Sequence, residues 1–260
     1  MPQFAANLSM MFNEVDFPDR FKAAADAGFT AVEYLFPYDY PAETLARALQ
    51  DNKLQQVLFN TPPGDWDAGE RGLAAVPGRE EEFLGGISTA ISYAKMLDCP
   101  RIHAMAGLLP DSADKNQWTD VYIKNLTAAA KLCSSANIDL LIEPINPINM
   151  PGYFLNDFNQ ACDILDTLNG RGSAVKLQFD FFHCQRIHGD VPAWIETCKR
   201  HIAHFQIAGV PNRHEPDNGE LPYKEILHSA TRHGFGELAI GCEYIPAGRT
   251  EDGLSWLKGL

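Results

Sequence analysis

Residues 175–183 read VKLQFDFFH, a short run rich in apolar residues that stops on an acid, Asp180, and then on a histidine, His183. A buried strand has no reason to end on a carboxylate unless that end faces solvent or a site, so the question is how often the pattern recurs. Apolar runs of strand length recur along the whole chain, with polar residues in or near the ends of several. Runs of the same kind are read at Phe4–Met11, Ala31–Phe36, Leu54–Asn60, Arg101–Ala106, Leu140–Ile145, Ala203–Ala208 and Glu237–Tyr244, giving eight candidate strands. Between them lie amphipathic stretches with helical spacing, such as Phe17, Phe21, Ala24, Ala25 and Gly28, or Trp118, Val121, Tyr122, Leu126 and Ala129. Asp16, Asn156 and Thr250 are placed to cap helices, and a closing helix is predicted over Thr250–Leu260.

Eight strands alternating with helices in 260 residues predict one α/β domain over 1–260, a single (β/α)8 barrel. An open doubly wound sheet is disfavoured because no G-x-G-x-x-G opens a helix after the first strand. No linker, low-complexity segment or further repeat divides the chain. The long connection Thr61–Arg79, beginning TPPGDWDAGERGL, follows a strand end, on the side where barrel loops cover active sites.

Composition narrows the function. Hydrophobic residues at 45% and charged residues at 21% are ordinary for a globular protein, whereas the net charge of −13 opposes phosphate neutralisation and makes nucleic acid an unexpected partner. The six cysteines form no C-x-x-C pair, which fits a reducing compartment. The opening MPQFAANLSMMF lacks a signal-peptide pattern and no window reaches the ~18 apolar residues of a membrane span. The expectation is a cytoplasmic protein without membrane partners.

Chemistry in a barrel of this kind sits at the carboxyl ends of strands. LLIEP places Glu143 there, KLQFD places Asp180, HFQIAG places Gln206 and IGCEY places Glu243, all on neighbouring strands. Three carboxylates and an amide oxygen converging on one point repel each other unless a cation lies between them. All four donors are oxygen, so one divalent ion, Mg²⁺ or Mn²⁺, is expected. The competing reading makes each acid an ordinary strand-end residue that caps a helix or pairs with a lysine. His183 and Arg213 are candidates to orient a substrate, as are His103 in RIHAMAG and Asn60 in LFNTPPG. Against this stand a histidine satisfied by a backbone carbonyl and a solvated surface arginine. Phe12, Phe36, Trp66 and Tyr244 read either as an apolar pocket wall or as core. No G-x-S-x-G elbow, Walker A loop or H-E-x-x-H helix appears.

FAANLSMMF, LFNTPPGD, PGRE, IEPINP, DFFH, HFQIAGVPNRHEPDNGE and GCEYIP, spread nearly end to end, together resemble the hydroxypyruvate isomerase family. That family sits among the xylose-isomerase-like barrels with ketose 3-epimerases, inosose dehydratases and endonuclease IV. The resemblance implies that Glu143 and Glu243 are both metal ligands and the catalytic proton-transfer pair, with Asp180 and Gln206 completing the coordination. It implies an intramolecular oxidoreductase interconverting hydroxypyruvate and 2-hydroxy-3-oxopropanoate through a cis-enediolate, with 2-oxotetronate as the alternative substrate. A dehydratase, a ketose epimerase and a noncatalytic sugar-acid binding protein are the remaining readings. Two positions lean away from the epimerases, which carry a histidine where Gln206 stands and an acid where Asn149 stands. A small hydroxycarbonyl acid is the expected partner, and a homo-oligomer is expected from the family.

Overall fold

A computed structural model describes residues 3–260. The elements run β1 (Gln3–Asn7), α1 (Phe17–Asp26), β2 (Ala31–Glu33), α2 (Ala42–Asn52), β3 (Gln55–Asn60), α3 (Glu80–Met96), β4 (Arg101–His103) and α4 (Lys115–Ser135). They continue with β5 (Asp139–Ile142), α5 (Phe158–Gly170), β6 (Val175–Asp180), α6 (Phe181–Ile187), α7 (Val191–Cys198), β7 (Ile202–Ile207), α8 (Tyr223–Ala230) and β8 (Ala239–Cys242). The strands are parallel and close in sequence order, β8 returning to β1, so the molecule is a (β/α)8 barrel as the alternation predicts.

The helices cover the barrel with their apolar stripes. Phe21 and Ala24 of α1 and Trp118, Tyr122, Leu126 and Ala129 of α4 are buried, while Val121 is only half-buried and Gly28 lies beyond the end of α1. Gly28 takes φ +96°, the left-handed conformation that lets the chain leave the helix and turn into β2. Within the barrel, Ala5, Ala31, Leu141, Ala203 and Ala239 form a small apolar plug. Residues two positions further along several of these strands are polar, and the alternation of a strand points them into the same interior.

Strand lengths correct the sequence reading. β6 spans the predicted residues and β3 ends on Asn60 as predicted, but the other runs stop short at the mouth of the barrel, where N–H groups find partners in loops. After Asn7 the chain turns, with the Met10 and Met11 N–H groups donating to the Asn7 carbonyl at 3.1 and 2.8 Å. After Cys242 it leaves the ladder, and the Ile245 N–H donates to the Arg213 carbonyl at 2.8 Å. The caps also differ. Asp16 precedes α1 without a side-chain cap bond, and Asp157, not Asn156, caps α5 by accepting from the Gln160 N–H at 3.0 Å. The closing segment is a 3-10 helix, Thr250–Lys258, of which Thr250 is the first residue and not the cap. Its hydroxyl accepts from the Phe12 N–H at 2.7 Å and donates to Glu14 at 3.2 Å, tying the closing helix to the loop after β1. Among the described residues, no helix is long and apolar enough to cross a membrane.

Candidate active site

Sheet register decides which side chains meet. Gln178 of β6 stands opposite His204 of β7, Asp180 opposite Gln206, and Gln206 opposite Gly241 of β8. Two interior layers result. The upper one holds Asp180, Gln206, Glu143 just past β5 and Glu243 just past β8, and all four are buried. The deeper one holds Gln178, His204 and Asn7, with Glu33 at the end of β2.

Glu143, Asp180 and His183 each bring a ligand atom within 4.8 Å of the others, a grouping able to hold a metal ion. Asp180 is also the cap of α6. One of its oxygens, Oδ1, accepts from the N–H groups of Phe182 and His183 at 2.7 and 3.2 Å, so the carboxylate is fixed in direction. Its other oxygen, Oδ2, and Oε1 of Glu143 are buried with no hydrogen-bond partner. A buried acceptor left unpaired costs on the order of 1–3 kcal/mol, more when charged, and two of them facing one grouping fit a hard cation held through oxygen.

His183 enters from the side. Its Nε2 lies 4.0 Å from Glu143 Oε1 and 3.8 Å from Asp180 Oδ2. Its Nδ1 is approached by the Asn146 backbone N–H at 3.4 Å and the Asn146 side-chain amide at 2.6 Å. A backbone N–H only donates, so Nδ1 is the acceptor and the proton sits on Nε2, facing the carboxylates. In that tautomer His183 directs a donor towards the two carboxylates and is not a ligand through that nitrogen, so the grouping would hold an ion through its oxygens.

Arg213 is not a surface arginine. Its Nη2 lies 3.3 Å from Glu243 Oε1 and 4.0 Å from Asp180 Oδ2, its Nε donates to the Glu243 carbonyl at 3.3 Å, and its guanidinium carbon lies 5.2 Å from the Phe182 ring centroid. Its backbone takes φ +60°, a conformation a non-glycine residue holds only when its surroundings fix it. His103 and Asn60 pair through Nδ1 and Oδ1 at 3.1 Å, which leaves His103 Nε2 buried without a partner.

Electrostatics follow from this burial. The Glu143 carboxyl is pushed well above the ordinary carboxylate range by burial, then by Glu243 and Asp180. Burial raises Glu243 to about 8 and Asp180 to about 6, in each case against the pull of Arg213. Burial, reinforced by His204, lowers His103 to about 3, and burial with Arg213 lowers His183, so both imidazoles are neutral near pH 7.

A cavity of about 170 Å³ sits over these groups, lined by Asn60, His103, Glu143, His183, Arg213 and Glu243 with Met10, Met105, Met150 and Trp66. It is smaller than the 300–1,000 Å³ typical of drug-sized ligands, which suits a substrate of a few carbons. A cavity of about 790 Å³ opens at the opposite end of the barrel, beside Phe29, Thr30 and Leu254, but none of the convergent carboxylates reaches it.

The sequence-predicted residues therefore gather, with qualifications. Of the four aromatics, Trp66 lines the cavity, Phe36 packs on it at 5.1 Å, and Phe12 and Tyr244 belong to the core. Trp66 comes from the long loop, as expected of a covering segment. Gln206 turns its Oε1 to Gln178 Nε2 at 2.6 Å and its Nε2 to Glu33 Oε1 at 2.8 Å. Asn146, Gln178, His204 and Glu33 went unread. The signal was present for Glu33, since a charge inside the apolar run AVEYLF is the same anomaly that marks Glu143 in LLIEP.

The model of the family described as "Xylose isomerase-like TIM barrel" matches residues 21–260. A 2-oxo-tetronate isomerase of Cupriavidus necator is 51% identical over 99% of this chain and 98% of its own. The hydroxypyruvate isomerase of Escherichia coli is 41% identical over 99% of this chain and 98% of its own. A solved structure described as an AP endonuclease, family 2, from Brucella melitensis superposes with a TM-score of 0.96 at 46% identity, covering 100% of this chain and 99% of that one.

Proposed function

Because this chain belongs to the xylose isomerase-like TIM-barrel family and, within it, to the hydroxypyruvate and 2-oxotetronate isomerases, we propose that it is a metal-dependent isomerase of a small 2-oxo hydroxy acid. The observation that carries the metal dependence is the pair of buried, partnerless oxygens on Glu143 and Asp180. Glu143, Asp180, Gln206 and Glu243 would hold one Mg²⁺ or Mn²⁺, which when bound polarises the substrate carbonyl and acidifies the neighbouring C–H.

The remaining work falls to the chain. Aldose–ketose isomerisation takes a proton from one carbon and returns one to the next, so it needs a base and an acid whose pKa values lie near the working pH. Glu143 and Glu243 are the proposed pair, because both carboxyls line the cavity above the site, where a substrate would lie between them. Arg213 anchors Glu243 and presents a planar fork to an anionic substrate. His183 Nε2–H donates to a substrate oxygen, and His103 Nε2, deprotonated because its partner nitrogen faces Asn60, accepts from a substrate hydroxyl. The Trp66 loop and the methionine wall exclude water from the enediolate.

Hydroxypyruvate and 2-oxotetronate both fit this account. The 51% identity to a 2-oxo-tetronate isomerase, against 41% to a hydroxypyruvate isomerase, favours the four-carbon acid. DNA repair is disfavoured by the net charge of −13. Proton NMR of each acid, incubated in D2O with enzyme and Mg²⁺ or Mn²⁺ and with a chelator control, tests the proposal. Metal-dependent conversion with deuterium incorporation is expected, faster for 2-oxotetronate. No conversion of either acid under any metal sinks the isomerase assignment, and faster turnover of hydroxypyruvate reverses the substrate preference.

A further inference from the structure

One buried acid takes no part in the chemistry described so far. Glu33 closes the short strand β2 and is 1% exposed, yet both its oxygens are satisfied. Its Oε1 accepts from Asn7 Nδ2 at 3.0 Å and from Gln206 Nε2 at 2.8 Å, and its Oε2 faces His204 Nε2 at 2.8 Å. The barrel is built to admit it. A Cβ on Gly241 would stand 2.3 Å from both Glu33 oxygens, so only glycine at that position lets the carboxylate reach from β2 across to β7.

We infer that Glu33 is a positioning residue that fixes which end of the Gln206 amide faces the proposed metal site. An amide has an oxygen end that can ligate a cation and an NH₂ end that cannot. Turned as it is, Gln206 keeps Oε1 as the end not held by Glu33, accepting from Gln178 Nε2 at 2.6 Å beside Asp180, which the register places opposite it. Turned the other way, it would set its oxygen 2.8 Å from a carboxylate oxygen, acceptor against acceptor. The contact with Gln178 does not decide the matter, since that amide can reverse together with Gln206 and its own Oε1 has no partner. Asn7 Nδ2 donates to Glu33 and His204 Nε2 lies 2.8 Å from its other oxygen, so the acid is held in place independently of Gln206. The choice of Gln206 orientation therefore rests on Glu33, in the way outer partners commonly orient metal ligands.

The inference rests on the proposed metal site, and the test separates the two. Mn²⁺ binding to the metal-free, full-length protein is followed by the loss of the free-ion EPR signal at fixed pH, with thermal melts recorded in parallel. In Glu33→Gln the new side chain can meet Gln206 with its own NH₂ and release the amide to reverse. A loss of affinity of about 10–100-fold is expected, with a melting temperature close to wild type. Adding Gln206→Glu to that variant makes both ends of residue 206 oxygen, and it should recover at least about tenfold of the lost affinity, which repair of a general folding defect would not do. Wild-type affinity in Glu33→Gln, or a loss that Gln206→Glu does not restore, overturns the positioning role. If Glu33→Gln does not fold, Glu33→Asp keeps the charge and withdraws the oxygens by one methylene. The same loss is expected there, and wild-type affinity again overturns the inference. Absence of Mn²⁺ binding by the wild-type protein overturns the metal site itself and the inference with it.

Discussion

Two layers of acid lie a few residues apart inside this barrel and have opposite fates. In the deeper layer the carboxylate of Glu33 accepts from Asn7 and Gln206 and pairs with His204, so each oxygen has a partner. In the upper layer Glu143 and Asp180 each keep one buried oxygen with none, and the carboxyls of Glu143, Asp180 and Glu243 are all raised by burial. Burial alone does not mark a functional acid, because both layers are buried. What separates them is whether the surrounding protein already supplies the donors. A satisfied acid holds its neighbours in place, and an unsatisfied one awaits a ligand.

The largest effect should come from breaking the upper layer. Glu143→Gln and Glu243→Gln each remove a carboxyl proposed to transfer protons while keeping shape, so kcat in the NMR assay should fall about 10²–10⁴-fold with the melting temperature nearly unchanged. Wild-type turnover in both variants would remove these residues from the mechanism.

A second prediction uses the protons that the proposed metal would displace. Glu243 ionises at about 8 in the metal-free protein, against an ordinary 4.5. A carboxyl raised on folding stabilises the protein below its unfolded value, and that contribution is lost as pH rises through the folded value. His103, lowered to about 3, opposes folding only where the unfolded imidazole protonates, below its ordinary 6.5. Above pH 6.5 the unfolded imidazole is largely neutral and the raised carboxyls of Glu143 and Glu243 set the trend, so the metal-free protein should melt lower at pH 8.5 than at pH 6.5. Mn²⁺ affinity should rise over the same interval, by up to about tenfold per pH unit for each proton displaced. Affinity that is flat or falls with pH would contradict this account of Glu243.

The same contrast explains what could be read from sequence. Glu143, Asp180, Gln206 and Glu243 were legible because each breaks an apolar run at a strand end, and the barrel reading alone brings consecutive strand ends together. The deeper layer was not legible. Glu33 meets Gln206 across 173 positions of sequence, a contact that exists only because β8 returns to β1 and Gly241 leaves room between them. Tautomers were equally hidden, since the proton on His183 is assigned by the backbone N–H of Asn146, 37 positions away. Strand ends were overread because apolar residues continue past the last ladder bond into loops that line the mouth, as at Met10 and Tyr244.

Arg213 tests the border of the upper layer. Arg213→Lys keeps the charge and loses the fork that reaches Glu243, so kcat/KM should fall by about 10–100-fold, the equivalent of a charge-assisted hydrogen bond at 1.5–3 kcal/mol. An unchanged kcat/KM would mean that a point charge is all the site requires there.

Glycines sharpen the contrast at the smallest scale, since the same substitution should have opposite signs in two places. Gly241→Ala sets a methyl 2.3 Å from both Glu33 oxygens, so the strand or the acid must shift, costing about 1–3 kcal/mol and weakening Mn²⁺ binding as Gln206 loses its anchor. Gly85 lies exposed within α3, where an added Cβ meets nothing within 4 Å. There alanine removes unfolded-state freedom and adds helix propensity, so Gly85→Ala should raise stability by about 0.5–1 kcal/mol in urea melts and leave Mn²⁺ affinity untouched. If Gly241→Ala matched Gly85→Ala in both measurements, the crowding around Glu33 would carry no energetic weight, and the deeper layer would lose its claim to orient the upper one.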